Sequence, residues 1–170
     1  MNPVIDAILT RRSVRAYLPD AVPADMVEQL LRCAMAAPSS KNRQPWEFVV
    51  VRERTVLDAL AAGLPYAKML ADAPLAVVVC ARACVDGAPN PCWQQDCAAA
   101  TENLLLAAHS LGLGAVWTAS YDAERAACVR RVLSVPEDIL PFCVIPVGFP
   151  AGDGMPKDKW KPERIHKEKW

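Results

Sequence analysis

Residues 93–114 read WQQDCAAATENLLLAAHSLGLG. Alanine and leucine recur here on more than one face rather than along a single stripe. A helix that is apolar on several sides lies at the centre of a fold or against a partner. The pattern predicts a helix over 93–111, closed by Gly112 and Gly114. The other elements are arranged around it.

Upstream, Leu75–Cys80 is an unbroken apolar run of the length of a buried strand, and Trp46–Val51 is a second. Downstream, Ala115–Thr118 reads as a short strand and Phe142–Val147 as the last core strand. Helices are expected over 3–10, 23–36, 53–62 and 122–133, with a further turn or two over 66–72. Pro23 suits a first helical turn, and Asp122 suits an N-cap. Residues 83–91 carry the Gly and Pro of a loop, and a polar, Pro-rich, basic tail follows Gly148. Alternating strands and helices of this kind build one three-layer α/β or α+β core. A chain of 170 residues that is 53% hydrophobic fits a single domain over 1–170.

Charge excludes several classes. Charged residues make up 22% and the net charge is zero, which argues against a disordered chain and against nucleic-acid binding by bulk charge. No apolar run approaches the roughly 20 residues that span a bilayer. Arg11-Arg12 is followed by no apolar core, so no export signal is read, and a cytoplasmic location is expected. The seven cysteines are odd in number and contain no C-x-x-C pair. Cys80, Cys84, Cys92 and Cys97 cluster, but at spacings of no standard metal site; buried thiols and no metal are expected.

Neutrality hides an asymmetry. Residues 1–15 hold three arginines against one aspartate, and residues 156–170 hold six cations against three carboxylates. Both ends are positive relative to the body. Chance and solubility are the ordinary origin of such charge runs; the sharper reading is that the two ends meet around one anion, such as a phosphate.

Only two histidines are present, His109 in the long helix and His166 in the tail, and no G-x-S-x-G, H-E-x-x-H or P-loop pattern occurs. Gly112–Gly114 follows a helix and precedes a strand, the reverse of a dinucleotide fingerprint. Two constellations remain. In Arg11-Arg12-Ser13-Val14-Arg15 an extended backbone turns Arg11, Ser13 and Arg15 to one side. That stretch suits either an anion site or a solvated helix end. Pro38-Ser39-Ser40-Lys41-Asn42-Arg43-Gln44-Pro45-Trp46 offers hydroxyls and amides that match a heterocycle edge, or forms an ordinary turn.

Together these stretches resemble the nitroreductase family of flavin oxidoreductases, in its compact branch. Arg11–Arg15 is similar to the N-terminal flavin motif, and Pro38-Ser39-Ser40 through Asn42, Gln44, Pro45 and Trp46 to the second motif. Asp96 through Asn103-Leu104-Leu105-Leu106 to Gly114 resembles the central helix. Gly148-Phe149-Pro150, Lys157-Asp158-Lys159-Trp160 and Arg164-Ile165-His166 resemble the ending.

The resemblance implies an α+β fold with a central mixed sheet flanked by helices, in a homodimer binding FMN at its interface. It implies that Arg11 and Lys159, with Lys157 as a weaker candidate, meet the phosphate, and that Arg12 belongs to the cofactor-binding set. Ser13 would touch the phosphate or ribityl chain and Arg15 the pyrimidine edge. Pro38, Ser39, Ser40 and Asn42 would come from the partner subunit. Trp117, Thr118, Ala119 and Ser120 would line the flavin face, although larger members carry Glu-Gly where this chain has Ala119-Ser120. A tail over about 149–170 would cross onto the partner.

The implied activity is a ping-pong transfer of electrons from NADH or NADPH to a nitroaromatic, quinone or similar acceptor. Flavin fragmentation and reductive dehalogenation are alternative reactions on the same scaffold. A non-catalytic flavin-binding module is a further alternative. No nucleic-acid or membrane partner is expected.

Overall fold

The strand Leu75–Arg82 (β2) organises the fold. In the computed structural model, which describes residues 2–152 and 154–170, its first seven residues are buried. Leu75, Val77, Val79 and Ala81 face one apolar cluster, with Leu30, Ala34, Leu104 and Ala108; Ala76, Val78 and Cys80 face another, with Leu57, Leu60 and Val129. The period of two along a strand therefore puts a core on each side. Helices α2 (Ala24–Met35) and α4 (Trp93–Ser110) form one outer layer, α3 (Arg54–Gly63) and α5 (Ala123–Leu133) the other. Helix α1 (Pro3–Thr10) packs on α4.

The sheet runs β1 (Trp46–Val51), β2, β7 (Ile139–Gly148), then β5 (Gly114–Ala115), with β6 (Thr118–Ala119) also on β7. These pairings are antiparallel. The parallel element of the mixed sheet is a single bridge from Ser13 to Ala115.

Most expected boundaries hold within a residue or two. Ala115–Thr118 does not form one strand. Gly114–Gly148 and Ala119–Cys143 keep a common register along β7, and Val116 falls opposite Pro146, which has no N–H to donate. The ladder therefore splits into β5 and β6. The expected loop at 83–91 contains a small hairpin, β3 (Cys84–Val85) with β4 (Ala88–Pro89), turned by Asp86 and Gly87 at positive φ. Asp122 caps α5 as expected, accepting from the Arg125 N–H.

Two features point toward the functional region. Between Val79 and Cys80 the β2–β7 register slips, leaving Phe142 as an extra residue in β7. Such bulges re-aim a side chain; here Phe142 becomes the hub of Trp93, Trp117 and Tyr121. The second is Gly114, where a Cβ would lie 2.6 Å from Cγ1 of Val14. That glycine lets residues 11–15 lie against the sheet.

The thiols are not uniformly buried. Cys80, Cys97, Cys128 and Cys143 are, but Cys33 and Cys84, the latter in the β3–β4 hairpin, are exposed. Burial pushes the Cys80 thiol up to about 11 and Cys97 to about 12, with the neighbouring Asp96 charge adding to the latter; Cys143 is raised as well. These groups fold neutral, so their burial stabilises the protein below the unfolded thiol value of about 8.5. That contribution is lost as pH climbs toward 11–12. At pH 8 a water-soluble thiol reagent is expected to label Cys33 and Cys84 at once, and Cys80, Cys97 and Cys143 only after denaturation. Immediate labelling of the latter three would contradict the packing. Separately, Gly114→Ala is expected to destabilise by about 1–3 kcal/mol through overpacking against Val14, read by urea unfolding.

Candidate functional site

After α1 the chain extends and docks on the sheet edge. The Val14 N–H donates to the Ala115 carbonyl at 3.0 Å, and Val14 is buried, so its neighbours Ser13 and Arg15 face outward. Tyr17 then bridges Pro150, and its buried hydroxyl donates to the Val14 and Pro146 carbonyls. Residues 149–151 therefore run beside 16–18 of the same chain, and residues 154–170 are exposed throughout.

That docking joins the two basic ends. Arg11, Arg12, Ser13 and Arg15 line a cleft of about 310 Å³ with Gly154, Met155, Lys157 and Lys159. Arg11 Nε is 3.1 Å from the Glu102 carboxylate on α4, and Arg12 Nη2 donates to the Gly152 carbonyl at 3.3 Å. Gly154 lies against Arg12: a Cβ there would be 2.6 Å from its Cζ. Three guanidiniums, two ammoniums and a hydroxyl around one small volume make a donor set for a phosphate monoester. The alternation placing only Arg11, Ser13 and Arg15 on one side is incomplete, because Arg12 reaches the same cleft through its tie to Gly152.

The second constellation lies elsewhere on the chain. Ser40–Asn42 forms a short 3₁₀ turn in which Lys41, Asn42 and then Gln44 have φ of 53°, 55° and 46°. None is glycine, and such conformations cost of order 1–3 kcal/mol each. The Gln44 N–H donates to Ser39 Oγ, Gln44 Nε2 donates to Asn42 Oδ1, and the Ser40 N–H donates to Asp96 Oδ1. Asp96 and Glu102 are six residues apart on α4, about 120° around the helix at 100° per residue. The loop and the basic strand thus attach to different sides of α4. Pro38, Ser39, Ser40 and Asn42 line no part of the basic cleft.

The third stretch, 117–120, continues along the same sheet edge as the basic strand. Thr118 is buried, its hydroxyl donating to Val144 O at 2.6 Å. Ser120 is fully buried, its N–H donating to Phe142 O at 2.9 Å and its Oγ unpartnered. Antiparallel ladders alternate, so the intervening Ala119 turns its N–H away from β7. Its carbonyl accepts from Arg125 Nη1. Of the four residues, Trp117 and Ala119 are the partly accessible ones.

With this geometry in view, comparison with known proteins is decisive. The model of the nitroreductase family matches residues 8–64 and 58–149. The chain belongs to the nitroreductase family. A relative from Methanothermobacter thermautotrophicus, named for NADH dehydrogenase or NAD(P)H nitroreductase activity, is 46% identical over 98% of this chain and 87% of its own. A crystal structure from Parabacteroides distasonis under the same name superposes with a TM-score of 0.96 at 45% identity, over the whole of both chains. A Desulfovibrio desulfuricans protein solved in complex with FMN gives 0.84 at 32% identity, over 100% of this chain and 99% of its own.

For a nitroreductase the positioning residues are as informative as the cationic ones. Glu102, Asn90 and Asp96 hold the expected site segments in place. Asp96 entered the sequence reading only as part of the stretch resembling the central helix; a carboxylate in the first turn of a very apolar helix is the signal that could have marked its role, and nothing in the local pattern singles out Asn90. His109 Nε2 lies 2.8 Å from Thr10 Oγ1, clamping the end of α1, and His109 lines a neighbouring cavity that Arg11 and Arg12 also border. Among the described residues no group of three His, Cys, Asp or Glu side chains is placed to hold a metal, and no helix is long and apolar enough to cross a membrane.

The cleft's preference can be measured without any flavin. Inorganic phosphate at ten times its Kd is expected to add about 1.4 kcal/mol to the stability of the flavin-free protein, raising Tm by about 3–6 °C. Lys157→Ala/Lys159→Ala should abolish most of that shift. An equal shift in the double variant would show that the anion binds elsewhere.

Proposed function

We propose that this nitroreductase binds FMN and uses it to pass electrons from NADH or NADPH to an electron-poor aromatic acceptor. The single observation that carries the reading is the cleft in which cations from both ends of the chain meet. The relatives' names and the FMN complex of a structural neighbour support it. When bound, FMN supplies the two-electron chemistry, so no histidine or cysteine nucleophile is required of the protein.

Each segment then has a role. Arg11, Arg12, Lys157 and Lys159 neutralise the phosphate, and Ser13 donates to it or to the ribityl chain. Glu102 fixes the Arg11 fork at Nε, leaving its terminal nitrogens for the anion. Arg15, outward-facing beside Ser13, favours negative charge on the pyrimidine edge of the ring, the electrostatic logic of an oxyanion hole. The Ala119 N–H, turned away from β7, is the backbone donor for the reactive edge. Trp117 and Tyr121, with Trp93 behind Phe142, offer flat walls on which an aromatic acceptor stacks.

The reading also includes a second copy of the chain. Val4, Ile5, Ile8 and Leu9 of α1 are each more than half exposed, and residues 154–170, including Trp160 and Trp170, lie fully on the surface. Contiguous apolar exposure of that kind marks an interface. A homodimer buries it and brings Pro38, Ser39, Ser40 and Asn42 of one subunit to the basic cleft of the other.

The purified protein is expected to be yellow and to bleach anaerobically with one or both nicotinamides. Product analysis with a nitroaromatic, a quinone and a halogenated phenol separates acceptor reduction from dehalogenation. Protein that remains colourless after incubation with FMN would refute the proposal. Arg11→Ala should weaken FMN retention by about 1.5–3 kcal/mol, the value of a charged hydrogen bond.

A further inference from the structure

Asp96 is 4% exposed, yet none of the ion pairs among the described residues involves it. Its oxygens accept instead from two different loops. Oδ1 takes the backbone N–H of Ser40 at 2.8 Å, and Oδ2 takes Nδ2 of Asn90 at 2.9 Å. Asn90 is 2% exposed, and its own Oδ1 accepts from the Cys92 N–H at 3.1 Å. A second strap joins the same loops: Arg43 Nη1 donates to the Pro89 carbonyl at 2.7 Å.

The 38–44 loop needs such an anchor. Its left-handed residues Lys41, Asn42 and Gln44 persist only if the surroundings over-determine them. An ionised acceptor holds a backbone N–H more tightly than a neutral one. The first turn of an 18-residue helix is also where buried negative charge is tolerated.

We propose that Asp96 is a positioning residue: its buried carboxylate locks the 38–44 loop and the 83–92 hairpin segment into one unit. It thereby sets the shape of the loop that, on the functional reading above, faces the partner's flavin. The hairpin and the flavin loop then move together or not at all.

The hydrogen-bond inventory supplies a specific test. In Asp96→Asn, one carboxylate acceptor becomes an amide donor facing the Asn90 amide. Turning Asn90 over to relieve that clash leaves the Cys92 N–H facing a donor. In the exchanged pair Asn90→Asp/Asp96→Asn all three bonds return. The amide now at position 96 accepts from the Ser40 N–H and donates to the carboxylate now at position 90, which also accepts from the Cys92 N–H.

Amide hydrogen exchange on the protein as purified is expected to speed up about tenfold in both 38–44 and 83–92 in Asp96→Asn, with β2 and β7 unchanged. The exchanged pair should restore both segments, and FMN dissociation should rise and recover in parallel. Loosening of one segment without the other, or an exchanged pair that folds but restores neither, would overturn the proposal. Both segments loosening and recovering while FMN dissociation stays constant would support the lock and overturn the flavin-facing role of the loop. Should Asp96→Asn fail to fold, Asn90→Ala carries the same test. Asn90 makes no hydrogen bond to 38–44, so faster exchange there supports the lock, and unchanged exchange contradicts it.

Discussion

The docking of residues 13–17 on the sheet is what the functional region depends on. Val14 fits over Gly114, its N–H reaches Ala115, and Tyr17 bridges Pro150 while its hydroxyl reaches back to Val14 and Pro146. This places the start of the chain beside the exit of β7, where the tail begins. Both basic ends are thereby confined to one place, although some 145 residues of sequence separate Arg11 from Lys157. The arrangement is covalently remote and sterically enforced, and small residues at 114, 148 and 154 make it possible. A Cβ at each would lie under 3.0 Å from a neighbour: Val14, Pro74 and the Arg12 guanidinium, respectively.

That confinement has an electrostatic cost. Five cations around a cleft of about 310 Å³ repel one another, and Glu102 offsets only part of the charge. Like charges held this close raise the energy of the folded chain, and on the proposed reading a bound phosphate relieves that repulsion. On the proposed reading the remaining chemistry needs little from the protein beyond position: an outward Arg15, a backbone N–H at Ala119 and the cluster of aromatic rings around Phe142. On that reading Ala119-Ser120 can stand where larger members have Glu-Gly, because a main-chain donor does not depend on the side chain.

Much of this was legible in the sequence because it rests on periodicity. The apolar runs at 46–51 and 75–80, the many-sided apolar helix from Trp93, and the Asp122 cap all announce themselves locally. The convergence of the termini was readable as charge asymmetry, and in the structure residues from both ends line one cleft. What was not legible depends on partners distant in sequence. The split of 115–118 into two strands is caused by Pro146 across the ladder. The bulge at Phe142 exists only in the β2–β7 register. The left-handed turn at Lys41, Asn42 and Gln44 contains no glycine to signal it, and is held by Asp96, more than fifty residues away. Arg12 joins the cleft through a carbonyl at Gly152.

The most direct measurement is a crystal structure of the protein grown with FMN. The account predicts the phosphate within hydrogen-bonding distance, about 2.7–3.2 Å, of Arg11 or Arg12 and of Lys157 or Lys159 of the same chain. A phosphate seated elsewhere, with none of these side chains within that distance, would contradict it.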